Sequence, residues 1–153
     1  MSIVFTISRT LEIDKDAADV HNSLSDALAR KGLYAEALAE KRHSLVLYGD
    51  DEAADILGRC PETEAGYRDG LRTLARKQLE LMEEASTTGY ISPMNFAVLY
   101  AVLDQKDHAF EWLERAFAEH SPWLTFLRFD PQFEDLRSDP RFADLVRRVG
   151  FGS

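Results

Sequence analysis

A chain of 153 residues is long enough to bury one sizeable core, and 45% hydrophobic with 29% charged residues excludes wholesale disorder. A formal net charge of −9 repels phosphate backbones, which argues against nucleic acid as a partner. A single cysteine, Cys60, excludes an internal disulfide, and no run reaches the ~20 apolar residues of a membrane span, so the chain reads as cytoplasmic with no membrane partner.

The charge is uneven. Residues 121–153 carry five arginines against five acids, so the acidic excess lies in residues 1–120. The opening Met1-Ser-Ile-Val-Phe-Thr-Ile has neither the basic region nor the long apolar run of a signal peptide. Ile3-Val-Phe-Thr-Ile is β-branched and compatible with a strand. Leu11-Glu-Ile-Asp14 reads like the last turn of a helix, and helix is favoured for residues 1–14.

Helix formers dominate the next stretch, and no hairpin dipeptide interrupts them. Residues 18–31 are predicted as a helix with Leu24, Ala27, Leu28 and Lys31 on one face. Gly32 breaks it, since a residue without Cβ suits the left-handed position after a helix end. Residues 35–48 are predicted to return, with Ala37, Leu38, Leu45 and Tyr48 inward. A short helix is expected over 51–59, before the Cys60-Pro61 break.

Residues 62–86 are expected to form one long helix with a stripe of Tyr67, Leu71, Leu74, Gln78, Leu81 and Ala85. Gly66 and Gly70 weaken it by up to ~1 kcal/mol each. Such glycines are tolerable where another element packs tightly against them. After the Thr87–Tyr90 turn, Ser92-Pro93 caps a helix lined by Phe96, Ala97, Tyr100 and Leu103. Asp104 stands at the break where the earlier pair has Gly32, and Asp tolerates that backbone better than most residues. Residues 108–119 return with Ala109, Phe110, Leu113, Ala116 and Phe117 buried.

The tail repeats itself. Asp130-Pro-Gln-Phe133-Glu-Asp-Leu136 is followed nine residues later by Asp139-Pro-Arg-Phe142-Ala-Asp-Leu145. Each copy places a capping Asp before a first-turn Pro, then Phe and Leu on one face, so two short helices are expected.

A longer echo organises the whole. Gly32-Leu-Tyr34-Ala-Glu-Ala37-Leu38 matches Asp104-Gln-Lys-Asp107-His-Ala109-Phe110, and the alanines lie 72 residues apart (109 − 37), two periods of 36. A helix–turn–helix repeat of that length signals a solenoid, which is a holding surface.

His21, Leu24, Ser25, Leu28, Gly32, Tyr34, Ala37 and Ser44 resemble the tetratricopeptide repeat (TPR) pattern, as do Tyr100, Asp104, Ala109, Leu113 and Ala116 in a later copy. His21 stands where Trp is usual, and Lys15, Gly49 and Ser121 where Pro is usual. Gly89-Tyr-Ile-Ser-Pro, Ala109-Phe-Glu-Trp-Leu-Glu and the two Asp-Pro stretches resemble the end-of-array segment of bacterial TPR proteins. The resemblance implies an all-α fold: a short TPR-like α-solenoid of antiparallel helix pairs with a C-terminal cap of short helices. Its parts would be a repeat remnant at 1–14, repeats at 18–49 and 90–120, a degenerate repeat at 50–86 and a cap at 121–151.

The same resemblance implies a non-catalytic scaffold that binds a peptide or partner helix in its inner groove. By the repeat register the groove residues would be Asn22, Asp26 and Arg30 in the first copy, and Ile91, Met94, Asn95, Val98 and Val102 in the last. Asp26 and Val98 stand where the acidic-tail clamp of chaperone-binding TPRs has basic residues, so that ligand class is not expected. The apolar patch at 91–102 suits a hydrophobic helix, a self-association contact in a homo-oligomer, or burial under the chain's own N-terminal helices.

Other candidates carry less. Glu40-x-x-His43 has the spacing of a helical di-metal half-site but lacks a second pair, so solvated residues are expected, with no metal or other cofactor. Cys60 lacks an adjacent base and reads as a passive thiol. Arg68, Arg72 and Arg76 read as an ion-pair ladder with Glu64, Asp69 and Glu80. Trp112 and Trp123 read as packing residues.

Overall fold

The computed structural model describes residues 18–151, all of whose regular elements are helical. The strand-or-helix question at residues 1–14 lies outside them. The described elements are α1 (Ala18–Arg30), α2 (Tyr34–Leu47), α3 (Asp51–Gly58), α4 (Glu64–Ser86), α5 (Pro93–Val102), α6 (Lys106–Ala118), 3₁₀ segments at Pro122–Phe129 and Pro131–Leu136, and α7 (Pro140–Phe151). The chain divides into two compact units between Leu74 and Ala75.

In the first unit α1 and α2 pack on each other across a three-residue turn. Gly32 sits at φ 78°, and the amides of Leu33 and Gly32 donate to the carbonyls of Leu28 and Ala29 at 3.0 Å each. That is a Schellman closure, which satisfies carbonyls that a helix end would otherwise leave open. Two buried hydroxyls then tie the pair together. Ser25 Oγ donates to the Ala37 carbonyl at 2.7 Å, and Ser44 Oγ to the Ala18 carbonyl at 2.8 Å. Leu24, Leu28, Ala37, Leu38, Leu57 and Tyr67 form the core.

Helix α3 packs on α2 and is capped by Asp50, whose carboxylate accepts the Ala53 amide at 3.0 Å. The start of α4 passes very close to the turn behind it. A Cβ on Gly66 would lie 2.0 Å from the Pro61 carbonyl oxygen, and one on Gly70 would lie 2.7 Å from Leu57 and 2.9 Å from Cys60. Both expected weak points in α4 are therefore contact points. One inward expectation fails, and two of the expected faces are covered only in part. Tyr48 is exposed, because it lies at the helix end beside the left-handed Gly49, and its hydroxyl donates to Asp19. Lys31 is exposed at the turn. The α4 stripe keeps Tyr67 buried and Leu71 and Leu74 half-buried, but Gln78, Leu81 and Ala85 are exposed. Periodicity marks a face and does not supply a neighbour to cover it.

In the second unit α5 and α6 form another packed pair. Asp104 sits at φ 58°, with the Gln105 amide bonded to the Tyr100 carbonyl at 2.9 Å and its own to Ala101 at 3.1 Å. Ser92 accepts the Met94 amide at the start of α5. The core joins Ala97, Phe110, Leu113 and Ala116 to Leu124, Leu127, Phe133, Leu136, Phe142 and Leu145 from the tail.

The tail repeat folds unequally. Asp130 and Asp139 both accept the amide two residues on, at 2.9 Å each. The first copy is a 3₁₀ segment, whereas the second opens the full α-helix α7. Two α7 arginines reach α6. Arg141 bonds Asp107 at 2.8 Å and lies 4.3 Å from the Phe110 ring centroid. Arg148 pairs with Glu114 and lies 4.9 Å from the Phe117 centroid.

Candidate functional site

The groove residues expected on α1 lie in a polar cluster. Half-buried Asn22 accepts a hydrogen bond from Lys41 of α2, whose ammonium also stands 3.9 Å from Asp26. The Tyr67 hydroxyl contacts Ser25 at 3.3 Å and donates to Asp26 at 3.5 Å. Burial pushes the Lys41 ammonium down, partly opposed by Asp26. Burial pushes the Tyr67 phenol up to about 12, with the Asp26 charge adding to it and the Ser25 hydrogen bond opposing. Arg30 is exposed beyond this cluster. Lys41 and the hydroxyl role of Tyr67, a stripe residue by its spacing, escaped the sequence reading because both come from other helices and their position depends on packing.

A second cluster joins α1 to α2. Glu40 is half-buried and bonds the buried His21 through Nδ1 at 2.6 Å, while exposed His43 stacks on the His21 ring at 4.1 Å and 13°. Glu40 and His43 are therefore partners of His21, which corrects their expected role as merely solvated residues. The i, i+3 spacing that suggested a metal half-site brings both groups to one histidine of the neighbouring helix. Among the described residues no group of three or more His, Cys, Asp or Glu is arranged to hold a metal ion. Cys60 is half-buried and its thiol contacts the Ile56 carbonyl at 3.4 Å. The expected ion pairs of Arg68 with Glu64 (3.4 Å) and Arg72 with Asp69 (3.7 Å) are present.

On α5 the groove expectation divides. Met94 is buried, in one cluster with Leu124, Leu127, Phe133 and Leu136, and is not available to a partner. The cause is that α5, Pro-Met-Asn-Phe-Ala-Val-Leu-Tyr-Ala-Val, is mostly apolar, so most of its surface is packed away and Asn95 alone is exposed on it. The 3₁₀ segment Pro131–Leu136 packs on it. Val98 is half-buried against the same core, Val102 is half-buried, and Asn95 is exposed.

Ile91 lies in an open cleft of about 390 Å³. Its other walls include Tyr90, Phe96, Trp112, Arg115 and Glu119. Three contacts shape it. Phe96 and Trp112 stack at 4.1 Å and 15°, Arg115 lies 4.2 Å from the Trp112 centroid, and the Tyr90 hydroxyl donates to Glu119 at 2.6 Å. That carboxylate pushes the Tyr90 phenol up. Trp112 is thus both packed and cleft-lining, a double role that its helical spacing did not distinguish. The cleft offers aromatic surface with one cation and one anion at its edge, a pattern suited to holding an apolar side chain and orienting its backbone.

Comparison with family models, with curated proteins and with solved structures gives no match to this chain. No helix among the described residues is long and apolar enough to cross a membrane.

Proposed function

We propose that this chain is a non-catalytic protein-interaction module of TPR-like helix pairs with a helical end cap, which holds a peptide or partner helix. The observation that carries the reading is the cleft beside the α5–α6 pair, where Tyr90, Ile91 and Trp112 present apolar surface and Arg115 and Glu119 present opposite charges. An amphipathic helix or short peptide would place one apolar anchor against Ile91 and the Trp112 face. The shared closure of the two helix pairs, 72 residues apart, supports the repeat reading.

The test is affinity capture with native chain and with Ile91→Glu, followed by titration of each retained protein. The reading requires a partner that binds native chain and binds Ile91→Glu at least roughly tenfold more weakly, with unchanged helical content. Partners retained equally by both would overturn it.

A further inference from the structure

The 3₁₀ segment Pro122–Phe129 has two faces. Leu124 and Leu127 are buried, whereas Trp123, Phe126 and Phe129 are 64%, 60% and 73% exposed. Residues three apart eclipse each other in a 3₁₀ helix, so the three aromatic side chains line one side at a step of about 6 Å. At ~150–250 Å² per aromatic side chain, two-thirds exposed, they present roughly 400 Å² of apolar surface. That matches the largest patch on a typical monomer, which is often functional.

We infer that this aromatic row docks an extended segment of a partner carrying arginines at alternate positions. It lies outside the groove residues and does not depend on how that groove is read. Three observations select the occupant. In an extended chain, side chains two residues apart project from one side at about 6.6 Å, close to the aromatic step. Residues 119–137 hold Glu119, Asp130, Glu134 and Asp135 against two cations, Arg128 and Arg137, so a cationic segment still meets complementary charge. Arg128 itself lies 5.5 Å from the Phe129 centroid, so a guanidinium already occupies one of these rings. A second copy is a poor occupant, because two such rows together bury only roughly 800 Å², below the ~1,200 Å² of stable interfaces. An anionic membrane would be repelled by the flanking acids.

The test measures binding of two labelled hexapeptides to the full chain by fluorescence anisotropy. One alternates arginine and serine, and the other has the same composition with its arginines in a block. The alternating peptide is expected to bind roughly two- to five-fold more tightly, since the block peptide still presents two arginines on one side and forfeits about one cation–π contact. Phe126→Ser/Phe129→Ser should abolish that advantage, and Trp123→Ser should reduce it, at unchanged helical content. Equal affinity for the two peptides, which means diffuse charge attraction, would overturn the inference. So would an advantage that survives Phe126→Ser/Phe129→Ser. Light scattering that shows a dimer lost on Phe126→Ser would assign the row to a second copy instead, and co-sedimentation with phosphatidylcholine vesicles would assign it to a lipid surface.

Discussion

Gly32 and Asp104 hold the same left-handed backbone conformation, at φ 78° and 58°, and each closes a helix pair with the same two hydrogen bonds. Their side chains differ, and so does the strain. Glycine adopts this region freely, while a residue with Cβ pays ~1–2 kcal/mol there, less for Asp. Nothing lies within 4 Å of a Cβ built on Gly32, so its requirement is conformational and not steric. Gly32→Ala should lower stability by about 1 kcal/mol, and Asp104→Gly should raise it by a few tenths to ~1 kcal/mol. Urea titrations of the two variants read both signs. The idea that the two turns share one closure fails if Asp104→Gly destabilises.

Gly66 and Gly70 meet the opposite constraint, because their surroundings are full. A methyl group on Gly66 would overlap the Pro61 carbonyl, which is backbone and cannot swing away. On Gly70 it would crowd the ends of Leu57 and Cys60, which can move. Gly66→Ala is therefore expected to cost more than Gly70→Ala, both within the ~1–3 kcal/mol of overpacking despite alanine's better helix propensity. Thermal melts give the order, and a stabilised Gly66→Ala chain would show that the turn at Pro61 yields.

These glycines also show what was legible in the sequence. Several helix boundaries follow a local signal: Gly32 and Asp104 at turns, Asp50 and Ser92 at caps, and the Asp-Pro pairs in the tail, whereas α2 and α6 start after Leu33 and Gln105 without a side-chain cap. Such signals act over a few residues, so the chain displays them directly. Coverage is not local. Ile91 and Met94 share an apolar stretch and a groove assignment, yet one lines the cleft and the other lies beneath the tail. Lys41 and Tyr67 reach Asp26 only through packing, and Trp123, expected to pack, is 64% exposed because the 3₁₀ course of Pro122–Phe129 turns Leu124 and Leu127 inward instead.

Asp139 ties acid stability to the tail. Hydrogen bonds from the Arg141 side chain and backbone hold its carboxyl down at about 2. The folded state thus favours the ionised form relative to an unfolded value of ~3.9. The sign follows: this contribution is fully present above about pH 4 and is lost as pH falls from there to about 2. Asp139→Asn keeps a capping side chain and removes the charge. Its melting temperature should fall below that of the native chain at neutral pH, and the gap should close by about pH 2. A gap that is the same at both pH values would place the role of Asp139 in capping alone.

Met94 and Asn95 are adjacent on α5 and face opposite fates. Met94 is 7% exposed and belongs to the core that includes Phe133 and Leu136, whereas Asn95 is exposed. Truncating the buried side chain removes its contacts and leaves a cavity, so Met94→Ala should cost ~2–5 kcal/mol. Asn95→Ala should stay within about 0.5 kcal/mol of the native chain. Hydrogen exchange can locate the first effect. If the tail covers α5, amides of residues 132–136 should lose protection in Met94→Ala and keep it in Asn95→Ala. Should Met94→Ala leave both stability and that protection unchanged, Met94 would be free to meet a partner after all, and the groove on α5 would be wider than its packing indicates.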